Sequence, residues 1–325
     1  MKAMRGWSRR EWLAGSGAAL AGGACARRRA TVRARVSLLR LGRYSQEIYE
    51  AVRRLLAEHR VEARGLRVVL KPNLVEYDPG TTINTHPLVV HAALEAFREL
   101  GAAEVCIAEG PGHRRNTLEL AEAAGYFGLL PDFEVRFTDL NLDEIAPVRL
   151  ESPRSKLRDL YLPRTALDCD LLVSLPKMKT HHWVGATLSM KNLFGLIPGA
   201  VYGWPKNLLH WSGISECIAD LHRLLARRGR PRLFAIVDGI VGMEGNGPIQ
   251  GTPKSAGVLA AGWTLPAVDA VCCRIMRIEP RKIAYLQMED PGGLLAPEGI
   301  ELIGEPLETV QTPFELIPQF RHLRL

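Results

Sequence analysis

The sequence predicts an α/β fold in which a largely parallel sheet is flanked by helices and accompanied by a smaller irregular lobe. Two observations predict it. Short apolar runs alternate along the chain with segments whose apolar residues recur at helical spacing. Hydrophobic residue types make up 47% of the 325 residues and charged types 24%, which is the balance of a globular protein with a sizeable core. A fibrous or largely disordered chain is therefore excluded.

The first half of the chain alternates predicted strands with predicted helices. Strands are expected at residues 36–41, 66–70 and 104–108. Helices are expected around 48–55, at 87–100, and in an Ala-rich segment that begins after Asn116 and stops near Gly125. Pro87 suits the first turn of the second helix, and Gly101 suits its end.

The second half shows the same alternation with less regular spacing. Strands are expected at 135–137, 157–162, 171–175, 233–237 and 258–261. Helices are expected at about 214–228 and 265–276, with a further helix that begins at Pro280. Since no internal repeat and no low-complexity linker follows residue 35, residues 31–325 are predicted to form a single α/β domain.

Residues 1–30 have the features of a twin-arginine signal peptide. The pair Arg9-Arg10 precedes a weakly apolar Gly/Ala stretch that ends at Ala24-Cys25-Ala26. This order predicts the twin-arginine translocase as a partner during export, and a periplasmic or exported location. The stretch is shorter than the roughly 20 residues of a membrane span, so no transmembrane segment is expected in the mature chain. Lipid anchoring at Cys25 is less favoured, because Gly22 stands where a lipoprotein site requires an aliphatic residue.

The formal charge of +7 comes from the leader. Seven basic residues and one acidic residue lie within residues 1–30, which leaves 35 basic and 34 acidic residues in the body. A nearly neutral body gives no electrostatic footprint for DNA or RNA. No nucleic-acid partner is therefore expected.

The six cysteines include no C-x-x-C pair. An iron–sulfur cluster held by this chain alone is therefore not expected. The five cysteines of the body fall in apolar strand-like or helical patterns, which predicts buried free thiols.

Polar side chains recur where predicted strands end. In parallel α/β sheets, ligands bind beyond the carboxyl ends of the strands, so these residues are expected to line one cleft. Two polar residues inside the otherwise apolar run 188–197 are expected to line the same cleft. Three of the strand ends carry more than one such residue: Lys71 and Asn73 follow one strand; Lys177, Lys179, His181 and His182 follow another; and Asp238 and Glu244 follow a third. Glu109 stands alone at the end of its strand, and Lys191 and Asn192 form the last set.

Five ordered motifs carry a family resemblance. They begin at Lys71-Pro72-Asn73-Leu74, Thr85-His86-Pro87, Leu175-Pro176-Lys177-Met178-Lys179-Thr180-His181, Met190-Lys191-Asn192-Leu193-Phe194-Gly195 and Asp238-Gly239-Ile240-Val241-Gly242. Together they resemble the domain of unknown function 362 family over roughly residues 36–302. The resemblance implies which positions matter and names no reaction. Many relatives carry a cysteine-rich iron–sulfur segment that this sequence lacks.

Converging lysines predict a site for an anionic small molecule, a carboxylate or a phosphate. The candidate catalytic residues are Lys177, Lys191, Asp238 and Glu244, and the candidate substrate-binding residues are Lys71, Asn73, Lys179, Asn192, Gly245 and Gly247. Crowded lysines also lower one another's pKa, which would make one of them a base or a Schiff-base nucleophile. The alternative is that these lysines are unrelated surface charges.

Three further interpretations stay open. His86, Glu109 and His181 are candidate ligands of a divalent metal, although their spacing matches no known signature. The serines near the motifs lack the context of a hydrolase nucleophile. The aromatic segment with Trp183, Tyr202, Trp204 and Trp211 predicts either a lid over a substrate or core packing.

These patterns favour an exported enzyme that acts on an anionic small molecule, with metal-assisted or redox chemistry among the options. The alternatives are a non-catalytic exported binding protein and an accessory subunit of a membrane redox system. An enzyme requires a titratable group with a perturbed pKa beside the ligand, whereas a binding protein requires only a cleft of complementary charge. An exposed apolar patch near the tryptophans would favour the accessory subunit.

Overall fold

A computed structural model of the chain describes residues 33–129, 135–290 and 293–325. The predicted signal peptide, with Arg9, Arg10 and Cys25, lies outside the described residues. Within the described ranges, no helix is both long and apolar enough to cross a bilayer.

The described residues include thirteen strands. They are β1 (Ala34–Arg40), β2 (Arg67–Pro72), β3 (Glu104–Glu109), β4 (Arg136–Asp139), β5 (Ile145–Arg149), β6 (Asp159–Pro163), β7 (Leu171–Leu175), β8 (Lys177–His181), β9 (Gly185–Thr187), β10 (Arg232–Asn246), β11 (Gln250–Lys254), β12 (Val258–Gly262) and β13 (Ile300–Gly304).

Eleven α-helices, several of a single turn, lie in the same described ranges. They are α1 (Glu47–Glu58), α2 (Pro87–Glu99), α3 (Thr117–Ala123), α4 (Arg164–Asp168), α5 (Ser189–Asn192), α6 (Gly199–Tyr202), α7 (Asn207–Trp211), α8 (Ile214–Arg227), α9 (Leu265–Ile275), α10 (Ala284–Gln287) and α11 (Leu307–Val310).

The main sheet is mostly parallel, as predicted. Its strands follow the order β13-β1-β12-β10-β7-β2-β3-β4, and the five from β10 to β4 pair in parallel. β12 pairs antiparallel with both of its neighbours. The carboxyl ends of β2, β3 and β7 therefore meet at one edge, where ligands bind in this class of sheet.

Both faces of the sheet are covered by apolar side chains. Along β2, Val68 and Leu70 belong to one buried cluster, while Val69 belongs to the other. Successive strand residues point to opposite faces, so a strand buried on both sides is a continuous apolar run. The predicted burial of the body cysteines is confirmed, since all five are buried free thiols.

β10 is much longer than the sequence suggested. We expected a strand at 233–237 followed by a Gly-rich loop, but β10 continues through Asp238 to Asn246 and pairs with β11 in an antiparallel hairpin. Residues 177–181, predicted from the sequence to lie beyond the end of the strand at 171–175, form a further strand, β8, beside the outer half of β10. Gly239 and Gly242 pack so closely on Met178 that a side chain has no room there, which explains glycines inside a strand.

The small irregular lobe is built on this extension. β8 and β11 pair with the outer half of β10, beyond the edge where β7 ends, and β9 pairs with β8. A separate two-stranded sheet, β5 with β6, carries the apolar residues Leu160 and Leu162 into the core.

Candidate functional site

A cavity of about 360 Å³ lies at the carboxyl ends of β2 and β3. Four of its lining residues are lysines, four are histidines, and among the lining residues that the structure describes only Glu109 is acidic. They come from β2, β3, β8, α5 and α7 and from the segments after β3, after β8 and before α7. The residues are Lys71, Lys179, Lys191, Lys206, His113, His181, His182, His210 and Glu109.

The floor of the cavity is a buried ion pair between Lys71 and Glu109. Lys71 Nζ donates to Glu109 Oε2 at 2.5 Å, to Pro72 O at 2.8 Å and to Asn192 Oδ1 at 3.3 Å. Glu109 also accepts from the backbone N–H groups of Leu74 and Gly110. Burial lowers the pKa of Lys71, and the Glu109 carboxylate opposes that shift. Every polar atom that approaches this carboxylate is a donor, so the pair is a satisfied structural unit.

Gly195 lies directly against the Lys71–Glu109 ion pair, because it has no side chain. A Cβ at this position would overlap Glu109 Oε1 and Lys71 Nζ. Any larger residue would therefore have to displace the ion pair.

Two further lysines are held by backbone carbonyl groups. Lys179 Nζ donates to Ile83 O at 2.8 Å and Pro248 O at 3.2 Å. Lys206 Nζ donates to Gly110 O at 2.8 Å and Phe194 O at 3.0 Å. Burial lowers the pKa of Lys206 to about 7, and that of Lys179 is also lowered well below its usual range.

Lys191 is held differently from the other three. Among the described residues, its Nζ makes no hydrogen bond and no salt bridge, and it lies 4.1 Å from the centre of the Phe194 ring. Burial, followed by the positive charge of Lys71, lowers its pKa to about 7. Roughly half of the Lys191 amines are therefore neutral, and able to act as a base or nucleophile, near pH 7.

α5, the short helix that carries Lys191 and Asn192, is anchored by a carboxylate from α9. Asp269 accepts from Ser189 N at 2.7 Å, Ser189 Oγ at 2.5 Å and Met190 N at 3.0 Å. Burial raises the pKa of Asp269 to about 6 despite these bonds. Asp269 therefore fixes the position of α5 relative to the sheet.

Two of the cavity histidines, His181 and His210, are poor bases. Burial and the neighbouring charge of Lys191 lower the pKa of His210 to about 4 and that of His181 well below 6.5. Both rings are neutral at pH 7, so they can donate or accept hydrogen bonds without adding charge.

Three buried polar atoms of lining residues have no hydrogen-bond partner among the described residues. They are Asn73 Oδ1, Thr187 Oγ1 and His210 Nδ1. A buried polar group without a partner costs about 1–3 kcal/mol. Grouped around one cavity, these atoms indicate a site that a polar ligand completes.

Lys177 and Asp238 lie outside this cavity, which corrects the expectation of one shared cleft. Lys177 Nζ donates to Asp238 Oδ2 at 2.6 Å and to Tyr44 Oη at 2.8 Å. Asp238 also accepts from the backbone N–H of His86. The pair is fully buried and each charged group has several partners, so it joins β8, β10 and the start of α2 instead of facing the ligand space.

Glu244, Gly245 and Gly247 also lie outside the lining, and the reason is the unexpected length of β10. Glu244 accepts from Glu315 N and pairs with Lys254 at 3.3 Å. Gly245 N donates to Glu315 O, and Gly247 packs on the Thr180 carbonyl group. Their backbone groups are committed to the outer hairpin, and their neighbours Asn246, Pro248 and Gln250 line the cavity.

The three candidate metal ligands do not come together. Glu109 and His181 line the cavity, whereas the His86 ring stacks on Tyr44 and its Nδ1 accepts from Leu88 N at the start of α2. In the described ranges, no group of three or more His, Cys, Asp or Glu side chains is arranged to hold a metal ion.

Lys206 and His210 were missed by sequence reasoning, because neither follows a strand. Lys206 has a left-handed backbone with φ of 67°, which is uncommon for a residue with a side chain. The available signal was a lysine between Pro205 and Asn207 inside an aromatic segment that separates two of the motifs.

The aromatic segment divides between the two roles considered for it. Tyr202 is core, and its hydroxyl accepts from Tyr161 N at 2.8 Å. Trp183 lines the cavity and is 53% exposed, while Trp211 is 74% exposed.

A known protein family matches the part of the chain that contains the five motifs. Residues 68–274 match the family described as "Domain of unknown function (DUF362)". The chain belongs to the DUF362 family. The matched span includes every residue of the cavity lining, from Lys71 to Gln250.

A curated DUF362-like relative is a thylakoid-associated protein of Synechocystis sp. It is 32% identical over 264 residues, which cover 78% of this chain and 76% of that protein.

Two solved structures are less similar to this chain in sequence, and the aligned region covers a smaller share of each chain. A protein from Thermotoga maritima is 16% identical with a TM-score of 0.41, covering 72% of this DUF362 chain and 59% of its own. A lactate racemase apoprotein from Thermoanaerobacterium thermosaccharolyticum is 15% identical with a TM-score of 0.40, covering 64% and 51%. The chain thus spans little more than half the length of these neighbours.

Proposed function

We propose that this protein is an enzyme that acts on an anionic small molecule in the cavity at the carboxyl ends of β2 and β3. One observation carries the proposal: four lysines line this cavity and a single carboxylate opposes them.

The charges around the cavity are unbalanced. Glu109 compensates Lys71, whereas Lys179, Lys191 and Lys206 make no salt bridge in the part of the chain that the structure describes. Each of these amines has its pKa lowered by burial, so its charged form is disfavoured in the free protein. An anion placed among them would restore the charged forms, which links ligand binding to proton uptake.

The cavity also has an apolar wall. Trp183, Phe194, Pro248 and Ile249 line it together with the charged groups. A ligand that carries a carboxylate or phosphate on an apolar or ring-bearing body matches both parts of this lining.

Lys191 favours an enzyme over a simple binding protein. A binding protein needs only complementary charge, and fully charged surface lysines would supply it. An amine with a pKa of about 7 and no protein hydrogen-bond partner is suited to proton transfer or covalent chemistry.

The binding test uses benzoate and inorganic phosphate as probes and isothermal titration as the readout. We expect benzoate to bind with proton uptake at pH 8, and Lys191→Met to weaken it at least about tenfold, since one lysine–carboxylate contact is worth about 1.5–3 kcal/mol. Lys156→Met is the matched control, because Lys156 is exposed and outside the cavity. If neither probe binds, or if both variants bind like the wild type, the proposed function is wrong.

We also propose that the protein is exported by the twin-arginine route and works on the far side of the cytoplasmic membrane. The Arg9-Arg10 signal and the thylakoid-associated name of the relative support this location.

A second candidate function is supported by exposed apolar residues near the cavity mouth. Val201, Leu208 and Trp211 are 40%, 43% and 74% exposed, and all belong to α6 and α7. Trp183 contacts this segment through His210, with ring centres 4.5 Å apart. Such a patch suits an accessory subunit that docks on a membrane surface, because tryptophan favours the interface between lipid and water.

Flotation with vesicles of anionic and neutral lipid tests that candidate. We expect the wild type to float with vesicles and Trp211→Ser with Leu208→Ser to stay in solution. Tyr161→Ser controls for loss of an exposed aromatic ring elsewhere. A wild type that never floats would contradict the docking candidate without affecting the cavity.

A further inference from the structure

We propose that Lys191 Nζ is a covalent nucleophile that forms an imine with the carbonyl carbon of an oxo acid, whose carboxylate is held by the neighbouring cavity lysines. The inference rests on the proposed function and names its substrate class: a carboxylate that carries a ketone or aldehyde carbonyl group.

The first support is the contrast among the four cavity lysines. Lys71, Lys179 and Lys206 each donate at least two hydrogen bonds to protein oxygens. Their nitrogen atoms are fixed and their donors are largely used. Lys191 has no such bond among the described residues, so its nitrogen is the one that is free to approach a ligand.

The second support is the rigid attachment of α5, the helix whose backbone carries the Lys191 side chain. Asp269 anchors α5 through three hydrogen bonds, and Asn192 Nδ2 donates to Lys71 O at 2.9 Å and Ser174 Oγ at 3.0 Å. A rigid attachment with an unbonded amine at its tip is the arrangement that a positioned nucleophile needs.

The third support is the protonation state. Only the neutral amine attacks a carbonyl carbon, and an ordinary lysine with a pKa near 10.4 is almost entirely charged at pH 7. Burial and Lys71 bring the pKa of Lys191 to about 7, which makes a large neutral fraction available.

The step balances without a further reactant. The amine lone pair attacks the carbonyl carbon, a C–N bond forms, and the π electrons move to oxygen. Protons from the nitrogen pass to that oxygen, the C–O bond breaks, and one water leaves. The product is an imine, and its protonated form withdraws electrons from the neighbouring carbon. Oxidation states are unchanged, so neither an oxidant nor a reductant is required.

The surroundings favour the imine over its hydrolysis. The Phe194 ring lies against Lys191, and Trp183 and Ile249 line the same cavity. An apolar wall limits the water that reverses the reaction. Lys206 and Lys179 each keep one unused donor for the carboxylate, and the bound anion favours their charged forms.

The test is reductive trapping of the purified wild-type protein with phenylpyruvate and sodium cyanoborohydride at pH 7.5. Trapping should raise the intact mass by one oxo acid less one oxygen atom, and peptide mapping should place the added mass on Lys191. We expect Lys191 to react at least about tenfold faster than exposed Lys156, whose mapping in the same sample needs no variant.

Two comparisons test whether the selective trapping depends on the carboxylate of the probe and on Lys191 itself. Phenylacetaldehyde, which lacks the carboxylate, should lose this selectivity for Lys191 over Lys156. Lys191→Met should show only the slow trapping of exposed lysines, whereas Lys156→Met should be trapped at Lys191 as fast as the wild type.

The outcomes separate this inference from the proposed function. If benzoate binds and Lys191 is trapped no faster than Lys156, the covalent role is wrong and the anion site stands. If benzoate does not bind and no site is trapped, both are wrong. Selective trapping of Lys206 in place of Lys191 would also overturn the assignment.

Discussion

At the scale of single residues, the cavity contains lysines of two kinds. Lys71 has the Glu109 carboxylate as its charge partner, whereas Lys191 has no hydrogen-bond or charge partner among the described residues and is the amine that we propose reacts with a ligand. Their consequences for stability are opposite, and variants can tell them apart.

Breaking the buried pair should be costly. We expect Lys71→Met to lower the free energy of unfolding by about 3–5 kcal/mol, because it leaves the Glu109 carboxylate buried without its charge partner. Urea unfolding measures the loss, and adding Glu109→Gln to Lys71→Met should recover part of it. A loss below about 1 kcal/mol would contradict the view that this pair is structural.

Lys191 should make stability depend on pH in the alkaline range. Its pKa of about 7 in the folded protein lies below that of a free lysine, so the unfolded chain binds more protons between pH 7 and about 10.4. The contribution of Lys191 to stability should therefore rise with pH across this window in the wild type. In Lys191→Met the rise should be smaller, and parallel urea curves at pH 7 and pH 10 measure the difference. Identical slopes would mean that the lysine titrates normally.

At the scale of elements, the site depends on how α5 is attached to α9. Asp269→Asn removes one of the acceptors that hold Ser189 and Met190, so α5 should lose its fixed position. We expect a loss of about 1–3 kcal/mol in stability and a clear loss of benzoate affinity.

Asp220→Asn is the matched control for that variant. Asp220 likewise accepts from two backbone N–H groups, those of Arg154 and Ser155, but it does not line the cavity. A similar loss of stability with unchanged benzoate binding is the expected outcome. If Asp269→Asn binds benzoate as well as Asp220→Asn does, the α5 anchor does not matter to the site.

The elements also show what a sequence can predict. β7 was predicted at its observed bounds, 171–175, because a strand buried on both faces is a continuous apolar run. β10 was cut short at Asp238, because glycines weaken a strand pattern and their tight packing on Met178 depends on residues distant in sequence.

The candidate site was predictable only in part, for a related reason. Lys71, Glu109, Lys179, Lys191, Asn73, Asn192 and His181 line one cavity, since strand ends converge in a parallel sheet. Lys177 and Asp238 satisfied the same pattern and pair with each other elsewhere. Lys177 and Lys179 point to the same face of β8, but a register shift sets Lys177 opposite Asp238 and Lys179 opposite Met243 of β10. Placing the two lysines in different surroundings therefore required knowing that β8 pairs irregularly with β10.

At the scale of the whole molecule, the excess positive charge lies in residues 1–30, which the proposed export route assigns to the signal peptide, and the body is nearly neutral. We expect Arg9→Lys with Arg10→Lys to leave the precursor in the cytoplasm, because the twin-arginine translocase requires the arginine pair. Cell fractionation followed by immunodetection measures the share of the precursor that stays in the cytoplasm. Arg27→Lys with Arg28→Lys is the matched control and should be exported normally. Efficient export of the Arg9/Arg10 variant would argue for another route.

The length of β10 has a thermodynamic consequence for ligand capture. One continuous strand pairs with β7 in the main sheet and with β8 and β11 in the outer lobe, so the inner and outer parts of the protein share a single rigid backbone. Little chain is left to order when a ligand enters beside Pro248 and Lys179, so the entropic cost of binding falls mainly on the ligand itself. Amide hydrogen exchange along β10 should then be slow already in the free protein and should change little on binding.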